Sequence, residues 1–201
     1  MTLLLLALVP AAYVIGMFPS AAIVARSSGI DITAAGSGNP GASNVSRVLG
    51  WKRGVLVFAL DAAKGAVAAG AGWWLDDRHA GYICAAAAAL GHMFPLLRRF
   101  GGKRFRGGKG VATVGGAMLV LQPIVSAALL AVWFAITRLT KKASLGSLAI
   151  VVLLPVGEAL LGAPAWEIVA SIVLGVLVLL KHGANIKRLI RREELSLDKT
   201  G

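Results

Sequence analysis

Apolar residues run along this chain in long blocks, not in the strict alternation of a half-buried strand. Residues 3–24, 54–75, 80–97, 145–161 and 165–180 are each almost free of charge, and each approaches the roughly 20 residues that let a helix cross a bilayer core. The block 111–137 is longer, with Gln122-Pro123 near its middle. Proline lacks the N–H that the helix ladder needs, and a glutamine amide is costly at mid-bilayer, so the pattern predicts two short helices meeting in a turn at that pair. The sum is an all-α polytopic membrane protein with seven transmembrane helices in one membrane-embedded domain, 1–201. The first block has no basic segment ahead of it and is as long as a full span, so it reads as a retained helix and not a secretory leader.

Composition agrees. Hydrophobic residues make up 57% of the 201 and charged residues 15%, against about 25% charged in an average soluble domain. A soluble fold of this size would leave roughly a third of its chain surface in water and has too little interior for so much apolar side chain. A disordered chain and a disulfide-stapled module are excluded as well, the latter because Cys84 is the single cysteine. Cys84 reads as a small packing residue.

Charge orients the spans. With seven of them, every Lys and Arg except Lys64 and Arg78 falls on one side, in the loops 26–54, 98–110 and 138–142 and in the tail from Lys181. Positive residues hold loops in the cytoplasm, which puts the N-terminus outside and the C-terminus inside. Six spans would split the basic loops between the two sides. A net charge of +12 exceeds what anchoring needs and points to anionic lipid or an anionic substrate.

Three polar segments collect on that cytoplasmic side. Residues 37–47 read SGNPGASNVSR; glycine and small residues let successive backbone N–H groups converge on an anion, and Arg47 adds a planar fork suited to phosphate. The same composition also suits a plain flexible loop. The second segment is Gly91-His92-Met93-Phe94-Pro95 with Gly107-Gly108-Lys109-Gly110-Val111-Ala112-Thr113 beyond it, a glycine-rich turn opening into a helix and aiming backbone donors at a ligand. It is not a Walker A loop, since Gly110 follows the lysine where Ser or Thr would hold magnesium. The third is His182-Gly183-Ala184-Asn185-Ile186-Lys187-Arg188, where helical spacing puts His182 and Asn185 on one face. Within the spans, Asp61 and Lys64 stand at helical spacing and read as a structural ion pair, whereas Glu158 has no sequence-local partner. Three scattered His and one Cys give no metal-ligand spacing.

Taken together, these segments resemble the bacterial integral-membrane acyl-phosphate:glycerol-3-phosphate acyltransferases, the PlsY family, along essentially the whole chain. The resemblance implies transfer of a fatty acyl group from acyl phosphate to the sn-1 hydroxyl of glycerol-3-phosphate, releasing lysophosphatidic acid and inorganic phosphate at a cytoplasm-facing site. It implies catalytic roles for Ser37, Arg47, Lys109, His182 and Asn185. Phosphate binding would fall to Asn39, Gly41, Asn44, Gly107, Gly108, Gly110, Ser144 and Arg188. No metal or cofactor, no nucleic acid and no obligate protein partner is expected; the partners are the two substrates and membrane lipid. Two departures from the family pattern stand out. Phe100-Gly101-Gly102-Lys103-Arg104 is an insertion ahead of the glycine-rich turn, and Arg192 occupies a position where the family has glycine, although Glu194 matches.

Two dianions must meet at this site, so fixed positive charge and amide donors matter more than an acid–base dyad. The departing phosphate can take the proton of the attacking hydroxyl, and the reading is therefore of substrate-assisted attack without an acyl-enzyme, His182 orienting glycerol-3-phosphate. The His-x4-Asp pair of soluble-type acyltransferases and the paired aspartates of magnesium-dependent alcohol phosphotransferases are both missing from the sequence. A transporter of an anionic compound is the main rival, but its site would lie near mid-membrane between inverted repeats, and the sequence has no convincing repeat. A purely structural subunit would leave the three polar segments without a purpose.

Overall fold

The computed structural model describes residues 3–96, 99–100, 103–104 and 106–197. The helices are α1 (Leu5–Gly16), α2 (Ser20–Arg26), α3 (Ala42–Leu49), α4 (Trp51–Leu75), α5 (Arg78–Met93), α6 (Val111–Leu121), α7 (Pro123–Thr140), α8 (Ala143–Leu160), α9 (Ala165–Lys181) and α10 (Gly183–Ile190). The all-α expectation needs one small correction. Strands β1 (Arg99–Phe100) and β2 (Lys103–Arg104) pair antiparallel, Arg99 opposite Arg104, because the inserted glycine-containing stretch is poor helix-forming sequence. Gly101 and Gly102 of that insertion lie outside the described residues, as do Leu97 and Arg98 at the end of the third expected span and Lys199 in the tail.

The chain divides into two compact units, one reaching to Leu121 and the other running from Gln122 to Asp198. In the first, α4 is the central helix and packs against α1, α3, α5 and α6. Its closest approach is to α6. A Cβ on Gly65 would run into the carbonyl of Thr113, and one on Gly116 into the carbonyl of Ala62. Between helices in an apolar solvent there is little hydrophobic drive, so the contact is made by backbones approaching where side chains are absent. In the second unit α8 lies between α7 and α9.

Gln122 and Pro123 behave as the sequence predicts. The helix stops at Leu121, Gln122 leaves the helical region with φ −136°, and Pro123 opens α7 as its first residue, where a missing N–H costs nothing. By length and composition four helical stretches among the described residues are able to cross a membrane, with α1 and α2 counted together. A fifth is added if α9 and α10, bent by 64°, are taken as one. The shorter α5 and α6 have 16 and 11 residues. Side chains such as Trp74, Leu139 and Leu160 stand exposed on helix flanks, the apolar exterior of a protein surrounded by lipid.

The intramembrane acids find partners. Glu158 on α8 is fully buried and accepts a 2.7 Å hydrogen bond from Ser171 on α9, and Gln122 donates to Glu167 at 2.5 Å. Both bonds join residues distant in sequence, which is why sequence-local reading found nothing for Glu158.

Candidate functional site

In the first unit the loop before α3 is organised by one side chain. Asn44 is 1% exposed. Its Oδ1 accepts from the backbone N–H of Ser37 at 2.8 Å and from the guanidinium of Arg47 at 3.4 Å, while its Nδ2 donates to the carbonyls of Ala35 and Ile32 at 2.9 and 3.3 Å. A carboxamide has two donors and one acceptor oxygen, and all are engaged with the chain. Asn44, expected to bind phosphate, therefore builds the loop. Ser37 and Arg47, expected to act together, are joined through its oxygen. The loop turns at Gly36 and Gly38, with φ 57° and 69°, left-handed values that glycine adopts without strain. Asn39 donates its backbone N–H to Ser37 Oγ at 3.4 Å, and Gly41 leads into α3.

The glycine-rich turn lies against the end of α5. Gly108 donates its N–H to the carbonyl of His92 at 3.1 Å. A Cβ on Gly107 would strike the backbone carbonyls of His92 and Met93, one on Gly108 the imidazole of His92, and one on Gly110 the side chain of Met93. Gly110 has φ 84° and its carbonyl accepts the first helical bond, from Val114 at 2.8 Å, as α6 begins. Lys109 is half-buried in the same turn.

Beneath the turn lies a charged cluster that the sequence disclosed only in part. Lys64 pairs with Asp61 at 2.7 Å as expected, but its Nζ also donates to the carbonyl of Phe18 at 2.9 Å and lies 3.1 Å from His92 Nδ1. Nothing in the local sequence links His92 to α4; the link arises from the packing of α4 on α5.

In the second unit the convergence point is Glu194. Its carboxylate accepts from Ser144 Oγ at 2.8 Å, Asn185 Nδ2 at 2.5 Å and Arg188 Nε at 2.9 Å. The tail bearing it is tied down by Leu197, whose N–H donates to the carbonyl of Lys141 at 2.8 Å. Burial alone would raise the Glu194 carboxyl, but the three donors and the Arg188 charge outweigh it and hold the group below the usual glutamate range. Sequence reading noted Glu194 only as a family match; an acid within a basic tail was the available signal. His182 is buried, with Nδ1 at 2.8 Å from the carbonyl of Val178. A carbonyl only accepts, so Nδ1 carries a proton. His182 caps the start of α10, and Asn185 lies in that helix's first turn. The helix bends by 64° between α9 and α10, and His182 sits at the break.

Among the described residues no group of three His, Cys, Asp or Glu side chains is disposed to hold a metal. What the fold and these clusters define is an integral-membrane helical protein whose polar chemistry consists of glycine turns, amide donors and cations, the equipment for handling phosphorylated compounds. The family model described as glycerol-3-phosphate acyltransferase matches residues 6–192. A glycerol-3-phosphate acyltransferase of Bacillus velezensis is 38% identical over 193 residues, 96% of this chain and 97% of that one. One from Thermus thermophilus is 37% identical over 180 residues, 89% of this chain and 87% of that one. The crystal structure of PlsY (YgiH), an integral membrane glycerol 3-phosphate acyltransferase, superposes in its glycerol 3-phosphate form with a TM-score of 0.87 at 36% identity, covering 96% of this chain and 94% of that one. The lysophosphatidic acid form gives 0.85 at the same identity and coverage. The chain belongs to the PlsY family of glycerol-3-phosphate acyltransferases.

Proposed function

We propose that this protein transfers a fatty acyl group from acyl phosphate to the sn-1 hydroxyl of glycerol-3-phosphate, giving lysophosphatidic acid and inorganic phosphate. The observation that carries the reading is the likeness along 96% of the chain to an acyltransferase crystallised in a glycerol 3-phosphate form. The joining of Ser37 and Arg47 on one oxygen of Asn44 supports it, as does the glycine turn carrying Lys109.

Each substrate brings about two negative charges at neutral pH, and their mutual repulsion is offset by the cations and oriented N–H groups of these segments. Arg47, Lys109 and the turn Gly107–Gly110 hold phosphate in this reading, with Ser37, Asn39 and Gly41 contributing from their loop. His182 and Asn185 orient glycerol-3-phosphate, with Ser144 and Arg188 beside Asn185 on Glu194. The hydroxyl attacks the acyl carbonyl, the C–O bond to phosphate breaks, and the departing phosphate takes the hydroxyl proton. No acyl-enzyme forms. The acyl chain lies among apolar helices, where each buried methylene contributes about 0.8 kcal/mol.

In this reading the chain is a single acyltransferase domain of seven spans, with the N-terminus outside, the C-terminus cytoplasmic and the chemistry on the cytoplasmic side of a bacterial inner membrane. The test supplies purified protein in detergent with acyl phosphate and glycerol-3-phosphate and follows phosphate release without coenzyme A, carrier protein or metal. Release that depends on glycerol-3-phosphate is expected. Its absence, with glycerol-3-phosphate accumulating in proteoliposomes instead, would make the protein a transporter.

A further inference from the structure

Helix α10 carries different chemistry on its two faces. Asn185 and Arg188 share one face by helical spacing, and both donate to Glu194. Lys187, Ile190 and Arg191 share the opposite face by the same spacing. Lys187 and Arg191 are exposed, as is Arg192 just beyond the helix, and none of these three side chains makes a hydrogen bond or ion pair among the described residues. Glu193 is the exposed acid beside them, so the surface is positive on balance. Ile190 is 78% exposed, and Leu180 at the end of α9 is 73% exposed.

Two further features separate this face from a merely solvated one. α10 leaves α9 at 64°, so with α9 crossing the bilayer α10 runs closer to the membrane plane than to its normal. A short helix in that plane sets an isoleucine at the acyl boundary while lysine and arginine stems reach back to the headgroups. Arg192 is held at φ 60°, a left-handed conformation that glycine would adopt without strain. Strain kept at an exposed, unpaired cation marks a place where the side chain has a use.

We propose that the outer face of α10 docks on the headgroups of anionic phospholipid in the leaflet it borders, through Lys187, Arg191 and Arg192. The lipid thereby steadies the helix whose inner face holds Asn185 and Arg188 on Glu194. Ile190 and Leu180 commit the surface to lipid, since a free anion offers nothing to an aliphatic side chain. The inference rests on the acyltransferase reading for its kinetic readout, and on α9 spanning the membrane for its geometry.

The experiment places wild type and the triple variant Lys187→Gln/Arg191→Gln/Arg192→Gln in nanodiscs of phosphatidylcholine, with and without phosphatidylglycerol. None of the three residues belongs to the proposed substrate site, so the two proteins have equal activity in phosphatidylcholine alone. Phosphatidylglycerol repels dianionic substrates from both alike, and the ratio of wild type to variant removes that effect. One cation at an anionic surface is worth about fivefold in affinity, and only the part that differs between a docked and a loose α10 reaches the site. In phosphatidylglycerol the wild type therefore exceeds the variant about fivefold in kcat/KM for glycerol-3-phosphate. A ratio that is the same in both lipids overturns the proposal, whether the variant is unimpaired or equally impaired. The independent arm is a nitroxide at Ala184→Cys, exposed on the outer face, with the buried Cys84 left unlabelled. Its collisions with an aqueous relaxation agent fall when phosphatidylglycerol is added to the otherwise unaltered protein; unchanged collisions overturn the docking, and this arm decides even where the triple variant fails to fold. A wild type inactive in every lipid sinks the acyltransferase reading instead, and the nitroxide still reports on α10.

Discussion

Asn185 donates its carboxamide N–H to Glu194 Oε1 at 2.5 Å, nine residues along a chain that has turned back on itself. The same carboxylate holds Ser144 and Arg188, so one acid fixes the rotamers of three residues assigned to the substrate. Glu194→Gln removes the charge and offers an amide N–H to groups that are themselves donors. Hydrogen bonds to charged groups contribute about 1.5–3 kcal/mol each, and the variant should lose about 2 kcal/mol at pH 7 together with most of its turnover. The acid limb follows from the depressed carboxyl. A group whose folded value lies below its unfolded one, about 4.3 for glutamate, stabilises fully above that unfolded value and loses the contribution as pH falls through the folded one. Thermal midpoints measured from pH 7 to pH 3 should therefore converge for wild type and Glu194→Gln at the acid end; a constant gap refutes the assignment.

Arg192 has φ 60°. A side chain in the left-handed region costs about 1 kcal/mol, which glycine avoids, offset in part by glycine's greater freedom when unfolded. Arg192→Gly should raise stability by about 0.5 kcal/mol, whereas Arg192→Ala should give no such gain. Parallel thermal scans of the two variants separate backbone relief from removal of charge.

The apolar blocks located every long helix, and Gln122-Pro123 marked the break between α6 and α7, because both are written in local composition and in proline's missing donor. Two glycines of the segments read from sequence, Gly38 and Gly110, have positive φ, whereas Gly36, just ahead of the first segment, does so without having been marked. What local reading does not reach is how side chains are spent. Asn44 looked like a ligand residue, and it is the frame of its own loop. His92 belonged to a glycine motif on α5, yet its Nδ1 lies 3.1 Å from Lys64 on α4, 28 residues away. Glu158 needed Ser171 from another helix. Long-range partnership leaves little trace in spacing, and these were the places where the sequence was silent.

The frame built by Asn44 can be tested against the ligand role it displaced. Asn44→Ala leaves the Ser37 N–H and the carbonyls of Ala35 and Ile32 without their partner, at about 1–3 kcal/mol for each group left buried and unsatisfied. The variant should lose thermal stability and turnover together. A purely ligand-binding asparagine would raise KM with the midpoint unchanged, so scanning calorimetry alongside kinetics decides between the two.

His182 has its Nδ1 2.8 Å from the Val178 carbonyl, and in the proposed reading its imidazole orients glycerol-3-phosphate. Removing a true general base costs about 10²- to 10⁴-fold in rate. If the departing phosphate takes the proton, His182→Gln keeps turnover within about tenfold at saturation, with the loss appearing in KM for glycerol-3-phosphate. A collapse of kcat at unchanged KM would assign the proton to the imidazole.

Gly107 and Gly108 separate fold from affinity. A methyl group on Gly107 meets the backbone carbonyls of Met93 and His92, which cannot yield without moving the end of α5. On Gly108 it meets the imidazole of His92, a side chain able to rotate by giving up its bond from Lys64. Overpacking costs about 1–3 kcal/mol where the neighbour is rigid, so Gly107→Ala should lower the thermal midpoint. Gly108→Ala should hold its midpoint better and show its defect in substrate KM, because accommodating the methyl group shifts the glycine turn that holds phosphate in the proposed reading. Equal midpoints with equal KM values for the two variants would mean that the imidazole does not support the turn.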